Sequence, residues 1–399
     1  MRKLRSNHVL IGLLFLISSI GPFASDTYLP SLPPMVIALG ATHTSMQLTI
    51  TIYLLGMGIS QLFFGPFSDR FGRRKVAVIG LSISFISSLG CAASFSVGQL
   101  IFFRFLQGLG IGAGSTVART ALRDRYSGKK LAQIISYMSI VFALAPSVAP
   151  VLGGYLQHWL GWRSIFIFLL FYIASLLFLV CKYLPETIKI YNPSAMRLSV
   201  VLKNYSLLRK NKTFVNNLVC SSMALAAMVA YDTGSPFLLQ TVLHVSVVTF
   251  GWLTALVAAG FVLSRTINAL LIRKYETAQV LYGANLVMLA TSFFVLITGL
   301  LGWLSLPVVI APICVFFLGS SIVLPNASAA AFETTSTIAG SASAMYGCIQ
   351  LLVCFIASGI IAHLHNNNQI PLGAVLSGCS ICCLFSARHL IKHPVKSEA

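Results

Sequence analysis

Acidic residues are scarce: 8 Asp and Glu stand against 27 Lys and Arg in 399 residues, and charged residues make up only 9% of the chain. So little charge cannot clothe a water-soluble domain, whose composition is ordinarily about a quarter charged. Metal chemistry finds no support, because His8, His43, His158 and His244 lie near the ends of apolar runs with no spacing that converges on an ion. Nothing resembles a nucleophile and base pair, so an enzyme is disfavoured. Gly108, Gly110, Gly112 and Gly114 lack the strand and the Gly-Lys-Ser/Thr context of a phosphate loop, and no ATP-binding motif occurs elsewhere. They read instead as a small-residue surface where helices approach closely. The 9 cysteines show no paired framework, and the CxxC of Cys379 and Cys382 reads as packing within an apolar run.

Apolar sequence is what the chain has in quantity. Its mean hydropathy is +0.88. A helix needs roughly 20 apolar residues to cross about 30 Å of hydrocarbon. Twelve runs meet that need, near 8 to 33, 46 to 67, 76 to 95, 99 to 119, 132 to 155, 163 to 181, 214 to 237, 248 to 272, 279 to 301, 307 to 330, 341 to 364 and 371 to 389. The expected fold is therefore an all-α membrane protein with twelve transmembrane helices. The long polar stretch from Lys182 to Lys212, with Pro185 and Pro193, divides them into bundles at 1–181 and 214–399, joined by a linker at 182–213.

Excess basic charge in a soluble protein would suggest nucleic acid, but here its placement follows the positive-inside rule. With the N-terminus in the cytoplasm, inner segments hold 24 of the 27 Lys and Arg. The others are Arg104 and Arg265 inside spans and Arg163 at an outer boundary. Both termini are expected in the cytoplasm. The first run continues through Asp26 to Pro33, longer than the apolar region of a cleavable signal peptide.

Two acids break the apolar pattern in matching places. Asp26-Thr27-Tyr28-Leu29-Pro30 and Asp232-Thr233-Gly234-Ser235-Pro236 share D-T-x-x-P, each in the outer part of the first helix of its half. A carboxylate inside a span costs roughly 2.5 to 3.5 kcal/mol and tends to face a protein interior or a wet cavity. The proline that follows frees a carbonyl and permits a bend. Two structural acids that fix helix packing remain the alternative. Tyr53, Gln61, Tyr137, Tyr231, Asn268, Asn326 and Gln350 are further polar groups within spans, open to cavity or packing roles.

Gly65-Pro66-Phe67-Ser68-Asp69-Arg70-Phe71-Gly72-Arg73-Arg74-Lys75 resembles the helix 2/3 loop motif G-x-L-A-D-R-x-G-R-R of the major facilitator superfamily. Leu100, Arg104, Gln107, Gly108 and Gly110 are similar to its helix 4 motif. The stretch from Ala145 to Gly154, with Pro146, Pro150, Gly153 and Gly154, resembles the helix 5 motif of antiporters, with Ala145 and Ala149 where Gly is usual. Asp26 to Pro33 is similar to the helix 1 signature of the Bcr/CflA-type multidrug exporters within the twelve-helix drug/proton antiporters.

The resemblance implies two pseudo-symmetric six-helix bundles that export small amphipathic compounds such as antibiotics, in exchange for protons, across the bacterial cytoplasmic membrane. Protons are the coupling ion, and no other cofactor, metal or nucleic acid is expected; the protein is expected to act as a monomer. Asp26 and Arg104 are the candidates for proton coupling. Burial favours the neutral acid and a nearby guanidinium favours the carboxylate, so the two influences oppose each other; a permanent salt bridge is the alternative. Asp232, Tyr28, Tyr53, Tyr231, Gln61, Tyr137, Asn326 and Gln350 are candidates for the substrate cavity. Gly65 and Gly72 are read as allowing a tight turn, with Arg70 and Arg73 holding the loop on the cytoplasmic side. Asp69 is implied as a latch, or else balances charge. Pro146, Pro150, Gly153 and Gly154 are implied as an exchange gate, or else form a structural kink. An exporter dedicated to one metabolite or siderophore would use the same scaffold, and a non-transporting membrane sensor is a third reading.

Overall fold

The computed structural model describes the backbone of residues 2–188, 191, 198–335, 339–364 and 368–392. The described residues are helical almost throughout. The elements are α1 (Arg2–Asp26), α2 (Leu32–Ala38), α3 (His43–Phe71), α4 (Arg73–Ala92), α5 (Val97–Arg125), α6 (Gly128–Leu160) and α7 (Arg163–Tyr183). They continue with α8 (Leu198–Lys210), α9 (Lys212–Pro236), α10 (Val247–Leu271), α11 (Thr277–Leu300), α12 (Leu306–Glu333), α13 (Ala339–His363) and α14 (Ile370–Lys392). Without α2 and α8 these are twelve long helices. Among the described residues, eleven stretches are long and apolar enough to cross a membrane, and α6, at 33 residues, stands between the fourth and fifth of them.

Polar residues start and stop the helices where the apolar runs end. Thr42 accepts from Ser45 N–H to open α3, Ser96 from Gln99 N–H to open α5, Asn211 from Phe214 N–H to open α9, and Ser246 from Thr249 N–H to open α10. These caps supply acceptors for amides that a first helical turn leaves unpaired. Several helices outrun their apolar stretch: α5 reaches Arg125, six residues beyond the expected end. Basic side chains keep such extensions in water while the backbone stays helical.

Small residues set the close packing. A side chain at Gly56 would meet the Phe105 carbonyl, at Gly108 the Tyr53 carbonyl, and at Gly80 both Ala113 and the Gly110 carbonyl. Those contacts bring α3 and α4 against α5. Helices α1 and α3 to α7 pack on one another, and α9 to α14 do the same. Two seams join the groups, α3 on α13 and α6 on α10. The end of the helices nearest Val9 and Leu390 is termed the terminal end below, and the opposite end the far end.

Two expectations need correction. The turn before α4 is made by Gly72 alone, at φ +98°, whereas Gly65 lies inside α3 with open space around it. The helix runs on through Pro66, and a Cβ at Gly72 would strike the Glu186 carboxylate. The linker also contains a helix, α8, whose Leu208 and Tyr205 pack with Phe214 and Tyr346 and whose Asn204 donates to Ser341 Oγ at 2.9 Å. Lys189, Pro193 and Arg197 of that linker lie outside the described residues.

Candidate functional site

Both D-T-x-x-P segments mark departures from α-helical geometry. The first helix stops at Asp26, turns through Thr27 and Tyr28, makes a 3-10 turn over Leu29–Ser31 and resumes as α2. Helix α9 runs to Pro236 and then widens into a π-helical turn over Phe237–Val242. Asp26 and Asp232 are half-buried and lie within electrostatic reach of each other across the junction of the two groups. Ser25 Oγ donates to Asp26 Oδ1 at 2.5 Å. Gln47 of α3 donates to the Thr233 carbonyl at 3.1 Å, tying the groups together beside Asp232. A cleft of about 30 Å³, lined by Gln47, Gly234, Leu238, Ile361 and Asn368 among others, lies next to this contact.

The alternative of a permanent salt bridge between Asp26 and Arg104 is not seen among the described residues. Among the described residues the ion pairs both belong to Arg73. Arg104 is fully buried and donates to the Ala24 carbonyl at 3.0 Å and to Gln107 Oε1 at 2.6 Å, while its Nε and Nη2 have no hydrogen-bond partner among the described residues. Its guanidinium carbon lies 4.2 Å from the Tyr53 ring centre and 4.7 Å from that of Tyr28. The break after Asp26 places Tyr28 over the cation, and the negative faces of two rings then take the place of a carboxylate. Tyr53 hydroxyl donates to the Gly21 carbonyl at 3.1 Å, and Tyr53 feels the charges of both Arg104 and Asp26.

The cavity candidates therefore divide. Tyr28, Tyr53 and Tyr231 are fully buried packing residues, Tyr28 against Phe166 and Tyr231 against Phe317. Gln61 is buried and accepts from Arg119 Nη2 at 2.6 Å and Thr116 Oγ1 at 3.1 Å. Asn326 donates to Asn268 Oδ1 at 2.6 Å and joins α12 to α10. Gln350 is half-buried, and Tyr137 is exposed with Gln133 donating to its hydroxyl at 3.3 Å. The lining of the 30 Å³ cleft includes none of these candidates.

The helix 5 motif lies in a seam. Side chains at Gly153 would collide with the Thr27 backbone, at Gly154 with the Val247 carbonyl, and at Gly251 with the Pro150 carbonyl. Backbone thus meets backbone where α6 and α10 cross at the far end, directly beside Asp26. Pro146 lies inside α6 just before this contact. Sequence reasoning missed Gly251 and Val247, which carry no polar or charged signal.

At the terminal end a charge hub forms around Arg73. Asp69 pairs with Arg73 Nη1 at 2.5 Å and Asp124 with its Nε at 2.9 Å, and Ser68 also accepts from it. Glu186, after α7, accepts from the Arg73 N–H at 2.9 Å and the Arg74 N–H at 3.3 Å, completing the amide end of α4. Arg70 is exposed, with its guanidinium over Phe71. Asp124 and Glu186 were not expected here. Their signal was the scarcity of acid itself, since they are two of only 8.

A family profile described as Major Facilitator Superfamily matches residues 14–387. The chain belongs to this superfamily. It is 28% identical over 404 residues to a protein of Haemophilus influenzae named bicyclomycin resistance protein homolog, covering 100% of each chain. It is 28% identical over 377 residues to multidrug resistance protein D of Escherichia coli, covering 94% of each. The solved D-xylose–proton symporter shares the fold, with a TM-score of 0.72 at 16% identity over 96% of this chain and 97% of that one. This member of the major facilitator superfamily is a multi-span secondary transporter, not an enzyme.

Proposed function

We propose that this transporter exports small amphipathic compounds, antibiotics among them, in exchange for protons across a bacterial cytoplasmic membrane. The observation that carries the reading is Asp26, a carboxyl group inside a span that makes no ion pair among the described residues, set where the first helix breaks and the two groups meet. A charge so placed is costly. It is relieved by a proton or by a cationic substrate, and competition between the two is the basis of exchange. The relatives named for resistance to bicyclomycin and several drugs support the direction and the breadth of transport.

In this reading all twelve long helices cross the membrane, both termini are cytoplasmic, and the protein acts as a monomer. The halves at 1–181 and 214–399 rock about the seams, with the linker between them. Substrate binding from the cytoplasm favours proton release from Asp26, and reprotonation from outside favours substrate release. For a neutral substrate, one proton exchanged moves one net charge. That is about 2.3 kcal/mol per 100 mV, or roughly a 50-fold gradient.

Inside-out vesicles with an imposed pH gradient test the function. Adding transported drugs should dissipate the gradient in vesicles that carry the protein and not in control vesicles. No response to any compound of a broad drug panel, together with unchanged tolerance of a pump-deficient host, would shift the assignment to a dedicated metabolite exporter.

The hub gives a further expectation. Asp69→Asn removes one of the two carboxylates on Arg73 and loosens the joint of α3, α4 and α5. Export should fall several-fold while drug binding, followed by equilibrium dialysis, stays nearly intact. An equal loss of both would count against a conformational role for Asp69.

A further inference from the structure

At the terminal end α9 begins beside the end of α14, and between them lies a pocket of about 210 Å³ lined by Lys212, Thr213, Asn216, His389 and Leu390. The transport reading uses none of these residues. Among the described residues the lining contains a lysine and no acid. Asn216 Nδ2 lies 3.2 Å from His389 Nδ1, which joins the two walls. Asn211 accepts the Phe214 N–H at 3.0 Å, so the amides of Lys212 and Thr213, the first two of α9, have no intrahelical acceptor. Arg209 and Lys210, at the end of α8, and Arg388, near the end of α14, are exposed. A pocket of donors with a fixed positive charge takes an anion.

Depth and neighbours say which anion. The apolar spans Lys212–Val242 and Ile370–Leu390 both end at this pocket, the level where lipid headgroups lie. On α14, Ile381, Phe385 and His389 follow one another at four-residue spacing on a single face, and all are exposed, Phe385 to 68%. An apolar ridge thus leads out of the pocket toward the membrane interior. A soluble phosphate would use the pocket and ignore the ridge, whereas a phospholipid matches both.

We propose that this pocket holds the phosphodiester headgroup of an anionic phospholipid, with an acyl chain laid along Ile381 and Phe385. Lys212 supplies the charge, and Thr213, Asn216 and the first amides of α9 supply hydrogen bonds.

The purified protein is equilibrated in detergent with phosphatidylglycerol, phosphatidylcholine or inorganic phosphate, and retained lipid is read by native mass spectrometry beside the melting temperature. Phosphatidylglycerol should be retained in preference to phosphatidylcholine. Lys212→Gln should weaken its retention about fivefold, the factor expected for one basic residue near an anionic surface, and Lys212→Arg should preserve it. Equal retention of the two lipids, or unchanged retention in Lys212→Gln, would overturn the proposal. The same thermal protection from inorganic phosphate would reassign the pocket to a soluble anion. Should Lys212→Gln melt early even in phosphatidylcholine, Phe385→Ala tests the ridge without touching the pocket: retention should fall several-fold, and wild-type retention there would sink the lipid assignment.

Discussion

Asp26→Asn is expected to abolish uphill export while leaving the fold and the binding of neutral drugs largely in place. The amide has the carboxylate's shape, and its oxygen still accepts from the Ser25 hydroxyl that now lies 2.5 Å away. No ion pair is lost, because Asp26 makes none among the described residues. What disappears is the group that gains and loses a proton. Without it, a bound neutral drug can be carried only down its own gradient. Accumulation in inside-out vesicles should fall from the roughly 50-fold that one charge sustains per 100 mV to about one. Drug-induced proton release should vanish with it, while equilibrium binding of a neutral drug changes by no more than a few-fold. Proton release that persists in Asp26→Asn would exclude this carboxyl as the main coupling site. Asp232→Asn is the informative partner, because the two acids sense each other across the junction. Coupling retained in that variant assigns the proton to the first helix.

The parts of this molecule that were legible in advance are those in which charge is out of place. An acid in an apolar run is visible without a structure, and so were Asp26, Asp232 and the buried Arg104. The helices were legible because a lipid span imposes both length and composition. The partner of Arg104 was not. Opposite charges suggest a pair, but whether aromatic faces take a cation instead depends on ring positions that only the break after Asp26 sets. The hub was hidden for another reason, since Glu186 reaches Arg73 from 113 residues away. Gly65 and Gly72 are alike in the sequence, and only the continuation of α3 through Pro66 separates the helical glycine from the turn. Helix α8 was obscured because an amphipathic helix on a membrane protein has the composition of a polar linker.

Gly153→Val is expected to cut export about tenfold or more by forcing the far-end seam apart. The obstacle at Gly153 is the backbone of Thr27, and at Gly154 that of Val247 and Val248, while Gly251 faces Pro150. Backbone cannot rotate aside as a side chain can, so even one added carbon separates the helices. Overpacking of this kind costs about 1 to 3 kcal/mol. Charged against the far-end-closed state alone, that shifts the balance between conformations by roughly 5- to 150-fold, and a cycle that must visit both is slowed accordingly. Because Thr27 follows Asp26 directly, the same displacement moves the coupling carboxyl away from Asp232. Hydrogen exchange should therefore rise in peptides covering 147–162 and 243–255, with little change around the Arg73 hub. Gly12→Ala is the control, since that position meets open space and should export as the parent does. If Gly153→Val exports normally and its exchange is unaltered, the contact of α6 with Thr27 is ordinary helix packing, and closure of the far end is governed by the α3 and α13 seam instead.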